Sequence, residues 1–405
     1  MRFVLFYHSL LSDWNHPSAH GLRGIANELL SQGHAVRILE PADGWSLHNL
    51  LEQGGDGVVK AFHATYPRLR SSFYDPHSVN FDDVLADADV VIAHEWNDSA
   101  FLRRLGEHRA STRSYRLLFH DAPHRTHQGA FQGAAAPSAL EVRARALSRY
   151  DGVLASSDGL RRMYERHGWV ENVWTWRDAV DTRVFRAWPG DPVPALDLVW
   201  IGNWGNGNRA GELDEYLIEP TRALGLRARF YGARYPRNVL HALRAAGIDY
   251  GGWIPDFAIP SAYATARFTA NVPRRMDAVG LPHTPPIRVL EALACGVPVV
   301  TAPWDECDRM FTPDVDLLVA RDGREMERHF VILHRDPEFA RFLGANGYQT
   351  IVSRHTCGHR VHELMDICAQ LGAIAKQDST RVTRETSPAH RSPRKDRSQA
   401  PASWS

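Results

Sequence analysis

Polar side chains follow two apolar segments in the first half of the chain. Residues 89–93 and 116–119 each predict a buried strand; His94 follows the first, and His120 and Asp121 follow the second. The carboxyl ends of neighbouring parallel strands meet at one edge of a sheet, where the ligands of open α/β folds bind. A histidine or a carboxylate at that edge could be the general base that removes a proton from a hydroxyl group. Each could also be a strand end whose polar group is satisfied within the fold.

A second candidate group lies in the segment 285–303, which reads Pro-Pro-Ile-Arg-Val-Leu-Glu-Ala-Leu-Ala-Cys-Gly-Val-Pro-Val-Val-Thr-Ala-Pro. The two prolines and the apolar spacing predict a helix that ends at Gly296, and the β-branched run 297–301 predicts a buried strand. Arg288 and Glu291 share one face of this helix near its amino end, where the helix dipole favours an anion. The carboxylate of Glu291 could accept hydrogen bonds from the vicinal hydroxyls of a ribose.

Two further features could hold phosphate. The strand predicted over 196–201 leads into a glycine-rich loop that begins with Gly202 and Asn203 and ends at Arg209, and glycines let backbone N–H groups approach a phosphate closely. Arg274 or Arg275 follows the strand 267–272, and a guanidinium binds phosphate through two parallel hydrogen bonds. The loop could also be a plain surface turn, and the arginine pair a solvated surface feature.

The elements around these residues alternate between strand and helix. Residues 2–7, a helix over 22–31 that Gly33 ends, and residues 35–39 form a βαβ opening. Gly21 and Gly24 do not make the G-x-G-x-x-G fingerprint, which excludes the usual NAD or FAD site. The alternation continues in the second half of the chain. It predicts an α/β fold with doubly wound parallel sheets.

Composition narrows the class of protein. The 405 residues suffice for two domains, and the net charge is zero, so no overall field favours nucleic acid. No run of about 18 apolar residues occurs, and four cysteines without CxxC spacing fit a reducing cytoplasm. The segment from residue 376 onward carries seven Lys/Arg against three Asp/Glu without periodicity, which predicts a disordered basic tail. The arginines between residues 103 and 116 could attract an anionic lipid or the inner membrane face, or could be a solvated helix face.

Glu291 followed by Ala-Cys-Gly-Val-Pro-Val-Val resembles the nucleotide-sugar signature of the retaining "group 1" GT-B glycosyltransferases, in the form found in the spore-maturation-protein-like branch. Many members carry a further Glu eight positions earlier; here His283 stands there, at a position that usually serves the transferred sugar. The resemblance implies two Rossmann-like domains facing each other across a cleft. It implies transfer of a sugar from a nucleotide-diphosphate donor to a glycan, glycolipid or small-molecule hydroxyl, with neither metal nor cofactor. It also implies that the Gly202 loop faces the donor diphosphate and that Trp253 packs on the donor base.

The resemblance divides the chain into five parts. They are an acceptor domain (1–178), a linker (179–195), a nucleotide-sugar domain (196–353), a crossover helix (354–373) and the tail (374–405). His283 in place of Glu leaves a second hypothesis open, a non-catalytic module that binds a sugar nucleotide or a glycan. A third is an epimerase or phosphorylase of the same fold. The phosphorylase is disfavoured because no lysine lies in the second domain to hold pyridoxal phosphate.

Overall fold

The structure of the chain is a computed structural model. This structure describes residues 1–14, 16, 18–122, 139–187, 189, 194–205, 210–273, 286–304 and 309–373. Two parallel sheets, each with helices packed on it, occupy the two halves of the chain, as the alternation of strands and helices predicts. Among these residues, no helix has both the length and the hydrophobicity that a bilayer-spanning segment needs.

The first sheet has seven strands in the order β3-β2-β1-β4-β5-β6-β7, and all its neighbours pair in parallel. Its strands are β1 Arg2–Phe6, β2 Ala35–Pro41, β3 Ser71–Tyr74, β4 Val90–His94, β5 Arg116–Asp121, β6 Gly152–Ala155 and β7 Val173–Thr175. Its central strands are buried on both faces, which is why they read as continuous apolar runs. The strand order reverses between β1 and β4, and such a switch point leaves a crevice at the carboxyl ends of the strands.

The second sheet has six parallel strands in the order β10-β9-β8-β11-β12-β13. They are β8 Leu196–Ile201, β9 Ala228–Tyr231, β10 Ile248–Tyr250, β11 Ala266–Asn271, β12 Val299–Thr301 and β13 Leu318–Val319. This sheet has its own switch point, between β8 and β11.

Helices cover both sheets. In the first half they are α1 Ser18–Ser31, α2 Trp45–Thr65, α3 Phe81–Leu85, α4 Ser99–Thr112, α5 Ala139–Ala146 and α6 Asp158–His167. In the second half they are α7 Ala210–Leu213, α8 Glu219–Leu224, α9 Arg237–Ala245, α10 Ile259–Tyr263, α11 Ile287–Ala294, α12 Gly323–Arg335, α13 Pro337–Arg354 and α14 Cys357–Gln370. A π-helical turn, Asp214–Ile218, joins α7 to α8, and a 3₁₀ turn, Asp256–Ala258, precedes α10.

The last helix, α14, returns to the first half of the chain and packs on α1. The approach is close because Gly24 lies at the contact: a Cβ there would stand 2.3 Å from Cys357 Sγ. The backbone of Val180, in the segment that joins the two halves, also bridges to Thr356 just before α14. These contacts bind the second half of the chain to the first.

Several sequence-based boundaries need correction. Helix α1 begins at Ser18, four residues earlier than predicted, so His20 belongs to its first turn rather than to a loop. Pro286 is the residue before α11, with extended ψ of 143°, instead of lying inside its first turn. Gly296 does end α11, at a φ of 71° that favours glycine. Helix α12, capped by Asp322, was not predicted.

The arginines of α4 are largely used within the fold. Arg109 donates from Nε and Nη2 to the carboxylate of Asp151, at 3.0 and 2.9 Å. Arg104 donates to backbone carbonyls, among them that of Pro76 at 2.8 Å, and its guanidinium lies over the ring of Phe81. These two side chains are therefore engaged by the fold itself, which neither a membrane contact nor a solvated helix face describes.

Candidate functional site

Two histidines meet at the carboxyl edge of the first sheet. His94 of β4 pairs directly with His120 of β5 in the strand register, and their ring centroids lie 5.0 Å apart. The hydroxyl of Tyr7, just beyond β1, lies 2.9 Å from His120 Nδ1. Burial and the charge of Asp178 raise the pKa of Tyr7 well above its ordinary value, so the phenol stays protonated.

These side chains line one pocket, which we call the histidine pocket. Its wall contains Tyr7, Ser18, Gly21, Leu22, Ile25, His94, His120, Ala122, Trp176, Arg177, Asp178, Ala179 and Arg360. The residues come from three strand ends, from the first turns of α1, from the segment after β7 and from α14. The histidine pocket thus brings together two of the three residues predicted for proton transfer.

Asp121, the third residue, is turned to the other side of the sheet. Successive residues of a strand point to opposite faces, so Asp121 shares the face of Phe119 while His120 shares that of Leu118. Its Oδ2 accepts a hydrogen bond of 2.7 Å from the hydroxyl of Tyr164 on α6. Asp121 does not line the histidine pocket.

Glu291 is fully buried where the two halves of the chain meet. Its Oε2 accepts a hydrogen bond of 2.6 Å from Arg288, and its Oε1 lies 3.2 Å from Nδ1 of His20 on α1. Burial lowers the pKa of His20, but the hydrogen bond and the charge of Glu291 outweigh burial and raise it. The backbone N–H of Asp181 lies 3.3 Å from Nε2 of His20, so in the neutral ring the proton sits on Nδ1, facing Glu291. The predicted ribose acid therefore faces the opposite domain.

A buried ion cluster lies beside Glu291. Arg23 of α1, fully buried, pairs with Asp256 of the second half, and its Nη2 lies 3.6 Å from the carboxylate of Asp13. Asp13 in turn accepts a hydrogen bond of 2.9 Å from the backbone N–H of Asp256. One guanidinium thus holds two carboxylates that come from opposite halves of the chain. Burial and the neighbouring Asp256 raise the pKa of Asp13 to about 7.

The raised pKa of Asp13 makes stability depend on pH. Between the ordinary pKa of 3.8 and about 7, the folded state binds more protons than the unfolded state, so the free energy of unfolding should fall as pH rises. We expect Asp13→Asn, which keeps an acceptor for the Asp256 N–H, to flatten this part of the profile. Urea unfolding at pH 5, 6, 7 and 8 measures the difference from the natural protein. The control is Asp249→Asn, an exposed carboxylate paired with Arg229; equal slopes in all three proteins would contradict the assignment.

The described start of the glycine-rich loop, residues 202–205, is hydrogen-bonded to the end of β9 and the segment that follows it. The N–H of Gly202 donates to the carbonyl of Tyr231 at 2.9 Å, and the N–H of Trp204 donates to Ala233 at 3.2 Å. Asn203 Oδ1 accepts from the Ala233 N–H at 2.7 Å. The amides of Gly202 and Trp204 are therefore used internally and are not presented to a phosphate in this arrangement.

Trp253 lies at a contact between the two halves, where it packs against a small apolar cluster of Trp14, Leu50 and Ala233. The other predicted donor residues, Arg209, Arg274, Arg275 and His283, lie outside the described residues, as does the predicted tail. Within the described part of the chain, no group of three or more His, Cys, Asp or Glu is arranged to hold a metal ion.

Sequence reasoning missed several site residues. Arg23 and Asp256 lie 233 positions apart, so nothing local signals their pairing. Tyr7 could have been found, because it follows β1 at the same sheet edge as His94 and His120. His20 was placed in a loop, and only the earlier start of α1 turns it toward Glu291.

Each half of the chain matches a glycosyltransferase family model. Residues 19–184 match Glycosyltransferase Family 4, and residues 209–366 match a glycosyl transferase-like model. No curated protein matches the chain in sequence.

Solved structures share the fold over almost the whole chain. Sucrose-phosphate synthase from Thermosynechococcus elongatus is 15% identical, with a TM-score of 0.61 over 92% of this chain and 99% of that one. HepE from Anabaena, in complex with UDP, is 15% identical, with a TM-score of 0.64 over 91% and 100%. Pneumococcal O-GlcNAc transferase GtfA, in complex with UDP and GlcNAc, is 8% identical, with a TM-score of 0.62 over 92% and 99%. The predicted GT-B fold, with two Rossmann-like halves, is confirmed.

Proposed function

We propose that the chain transfers a sugar from a nucleotide-diphosphate donor to a hydroxyl acceptor, without a metal ion. The observation that carries the proposal is the position of Glu291, a buried carboxylate of the second domain that faces the first domain across their junction. In this proposal the transferred group is a hexose and the acceptor is a glycan, a glycolipid or a small molecule. The reaction belongs to polysaccharide biosynthesis in the cytoplasm.

The contacts of Glu291 suggest how a donor would be held. A carboxylate can accept two hydrogen bonds from the vicinal hydroxyls of a ribose, and Nδ1 of His20 now lies 3.2 Å from one of the two oxygens of Glu291. Nucleotide binding would replace the His20 contact, while Arg288 would keep the carboxylate oriented. A slight separation of the two domains around Arg23 would then accompany binding.

The leaving diphosphate gains negative charge as its bond to the sugar breaks. Arg288 lies at the amino end of α11, where a guanidinium and the helix dipole both favour an anion. Its side chain is partly exposed and pairs with Glu291. These positive groups would take the role that a metal ion has in other transferases.

The histidine pocket would receive the acceptor. It lies on the first domain, next to the turn of α1 that carries His20, so an acceptor hydroxyl there would lie near a donor bound at Glu291. A histidine at this position could take the proton of the attacking hydroxyl.

Glu291→Gln tests the donor site directly. The amide keeps the size of the side chain but loses the charge, and a hydrogen bond to a charged group contributes about 1.5–3 kcal/mol. We expect the affinity for the matching nucleotide diphosphate to fall roughly 10- to 100-fold. Calorimetric titration with UDP and GDP measures this change.

Two comparisons make the titration decisive. Glu338→Gln, at an exposed position in the first turn of α13, is the matched control and should leave affinity unchanged. Glu291→Asp keeps the charge and separates loss of the ribose contact from loss of the ion pair with Arg288. Unchanged nucleotide affinity in a folded Glu291→Gln protein would remove Glu291 from the site.

A donor screen separates an enzyme from a binding module. The natural protein, incubated with a panel of nucleotide sugars, is expected to hydrolyse or transfer at least one of them, with the products read by mass spectrometry. Tight nucleotide binding without any turnover would instead favour the non-catalytic module that the His283 position motivates.

A further inference from the structure

We propose that the histidine pocket binds an anionic group, a carboxylate or a phosphate, carried by the acceptor. This inference rests on the proposed function and adds the chemical class of the acceptor. Two arginines and a helix end converge on the pocket.

Arg360 is the central observation. It lies on α14, is 5% exposed and lines the histidine pocket. Its Nη2 donates to the carbonyl of Arg354 at 2.8 Å and pairs with Glu363 at 3.0 Å. Its buried Nε has no acceptor among the described residues. A buried N–H donor that lacks a partner lowers stability, and a hydrogen bond to a ligand oxygen would remove that cost.

A second guanidinium shares the pocket wall. Arg177 pairs with Asp158 at 2.9 Å and is close enough to Arg360 that, after burial, its charge contributes to lowering the pKa of Arg360. The same two arginines, with Arg354, add to the burial that lowers the pKa of His355 to about 4. Two guanidinium groups therefore act at this end of the pocket, together with the carboxylates of Asp178, which lines it, and of Glu363, which pairs with Arg360.

The amino end of α1 adds a further group that favours an anion. Ser18, the first residue of the 14-residue helix, lines the pocket together with Gly21, and its hydroxyl oxygen is buried with no partner among the described residues. N–H groups of the first turn and the helix dipole both favour an anion. Arg360, Arg177 and this turn reach the pocket from three separate elements.

The position of the pocket assigns the anion to the acceptor rather than to the donor. Among the described residues between 196 and 353, where the second sheet lies, none is found in the pocket wall. Glu291, which with Arg288 would hold the nucleotide, contacts His20 on a neighbouring side of α1. An anion beside Arg360 would place the rest of the acceptor against His94 and His120.

The test compares charged and neutral sugars of equal size. Saturation-transfer NMR on the full chain, with and without UDP, would measure the binding of methyl glucuronide, glucose 6-phosphate and methyl glucoside. We expect at least one anionic sugar to bind ten-fold or more tightly than methyl glucoside. The carboxylate and phosphate arms distinguish the two sources of charge. Equal binding of all three sugars, or none of them binding, would overturn the proposal.

Variants locate the preference. Arg360→Gln should abolish the preference for anionic sugars and leave UDP affinity within two-fold of the natural protein. If Arg360→Gln does not fold, Arg177→Gln, on another element, replaces it and should weaken the same preference. The control is Arg321→Gln, whose guanidinium is exposed and paired with Glu325. Loss of UDP affinity in the Arg360 variant would show that the arginines serve the donor, and overturns the proposal. Failure of the natural protein to bind UDP would count against the proposed function alone, because anion preference is also measured without UDP.

Discussion

Replacing Arg23 with methionine is expected to lower the free energy of unfolding by about 3–5 kcal/mol, the usual cost of breaking a buried ion pair. Methionine is unbranched, and its flexible apolar side chain would occupy the space that the arginine side chain fills. The substitution leaves Asp13 and Asp256 buried side by side without a compensating charge. It also removes the donors to the carbonyls of Leu10 and Leu11, both bonded at 2.8 Å.

The measurement is urea unfolding at pH 7.5, above the raised pKa of Asp13 of about 7, where that carboxylate needs its counter-charge. Arg68→Met is the matched control, because its exposed guanidinium contacts only Asn27 among the described residues, and the expected change there is below about 1 kcal/mol. Adding Asp256→Asn to Arg23→Met should restore part of the loss, which a double-mutant cycle reports as a coupling energy. A change in Arg23→Met no larger than in the control would contradict the role given to this cluster.

The fold could be read from sequence because its signals are local. The alternation of apolar strand and amphipathic helix is contained in windows of ten to twenty residues, and Leu196–Ile201 was placed with its exact bounds. Predicted helix boundaries were wrong where tertiary contacts extend an element, as they do at Ser18, the first residue of α1. Helix α12 was missed because its buried positions, such as Met326 and Phe330, are sparse among charged residues.

The site was harder to read because it is assembled across the chain. Glu291 was recognised from a local motif, but its contact with His20 joins residues 271 positions apart and has no local signal. Strand parity could have separated His120 from Asp121, since adjacent strand residues point to opposite faces. The prediction that both would face the acceptor took no account of that alternation. Arg360 could not be predicted from sequence for the same reason as Arg23: the residues that it meets lie far away along the chain.

His120 is the residue whose loss should affect turnover most. A general base contributes about 10²–10⁴-fold to the rate, so His120→Gln is expected to lower kcat by that factor while nucleotide affinity stays within two-fold. Asp121→Asn is the contrasting variant. Its carboxylate faces Tyr164 and not the pocket, so we expect lower stability with kcat reduced less than five-fold.

The direction of the hydrogen bond between Tyr7 and His120 decides which role the histidine has. If Nδ1–H donates to the Tyr7 oxygen, Nε2 of the neutral ring is left without a proton and can act as the base of an inverting reaction. If the Tyr7 hydroxyl donates to Nδ1, Nε2 carries the proton and can only donate, for example to a hydroxyl of the donor sugar in a retaining reaction. The two arrangements predict different pH–rate profiles.

We expect His120 to act as the base, because Asp178 stands near the Tyr7 hydroxyl and favours that O–H pointing away from the histidine. The kcat of the natural protein should then decrease towards acid pH, and Tyr7→Phe should shift that acidic limb while His120→Gln removes it. Product stereochemistry, read by NMR, should show inversion. Two results would contradict this role: a His120→Gln protein with the full kcat, or retention of the sugar's configuration together with an acidic limb that the substitutions leave unchanged. Either would assign the proton transfer to another group and leave His120 as a contact of the donor sugar.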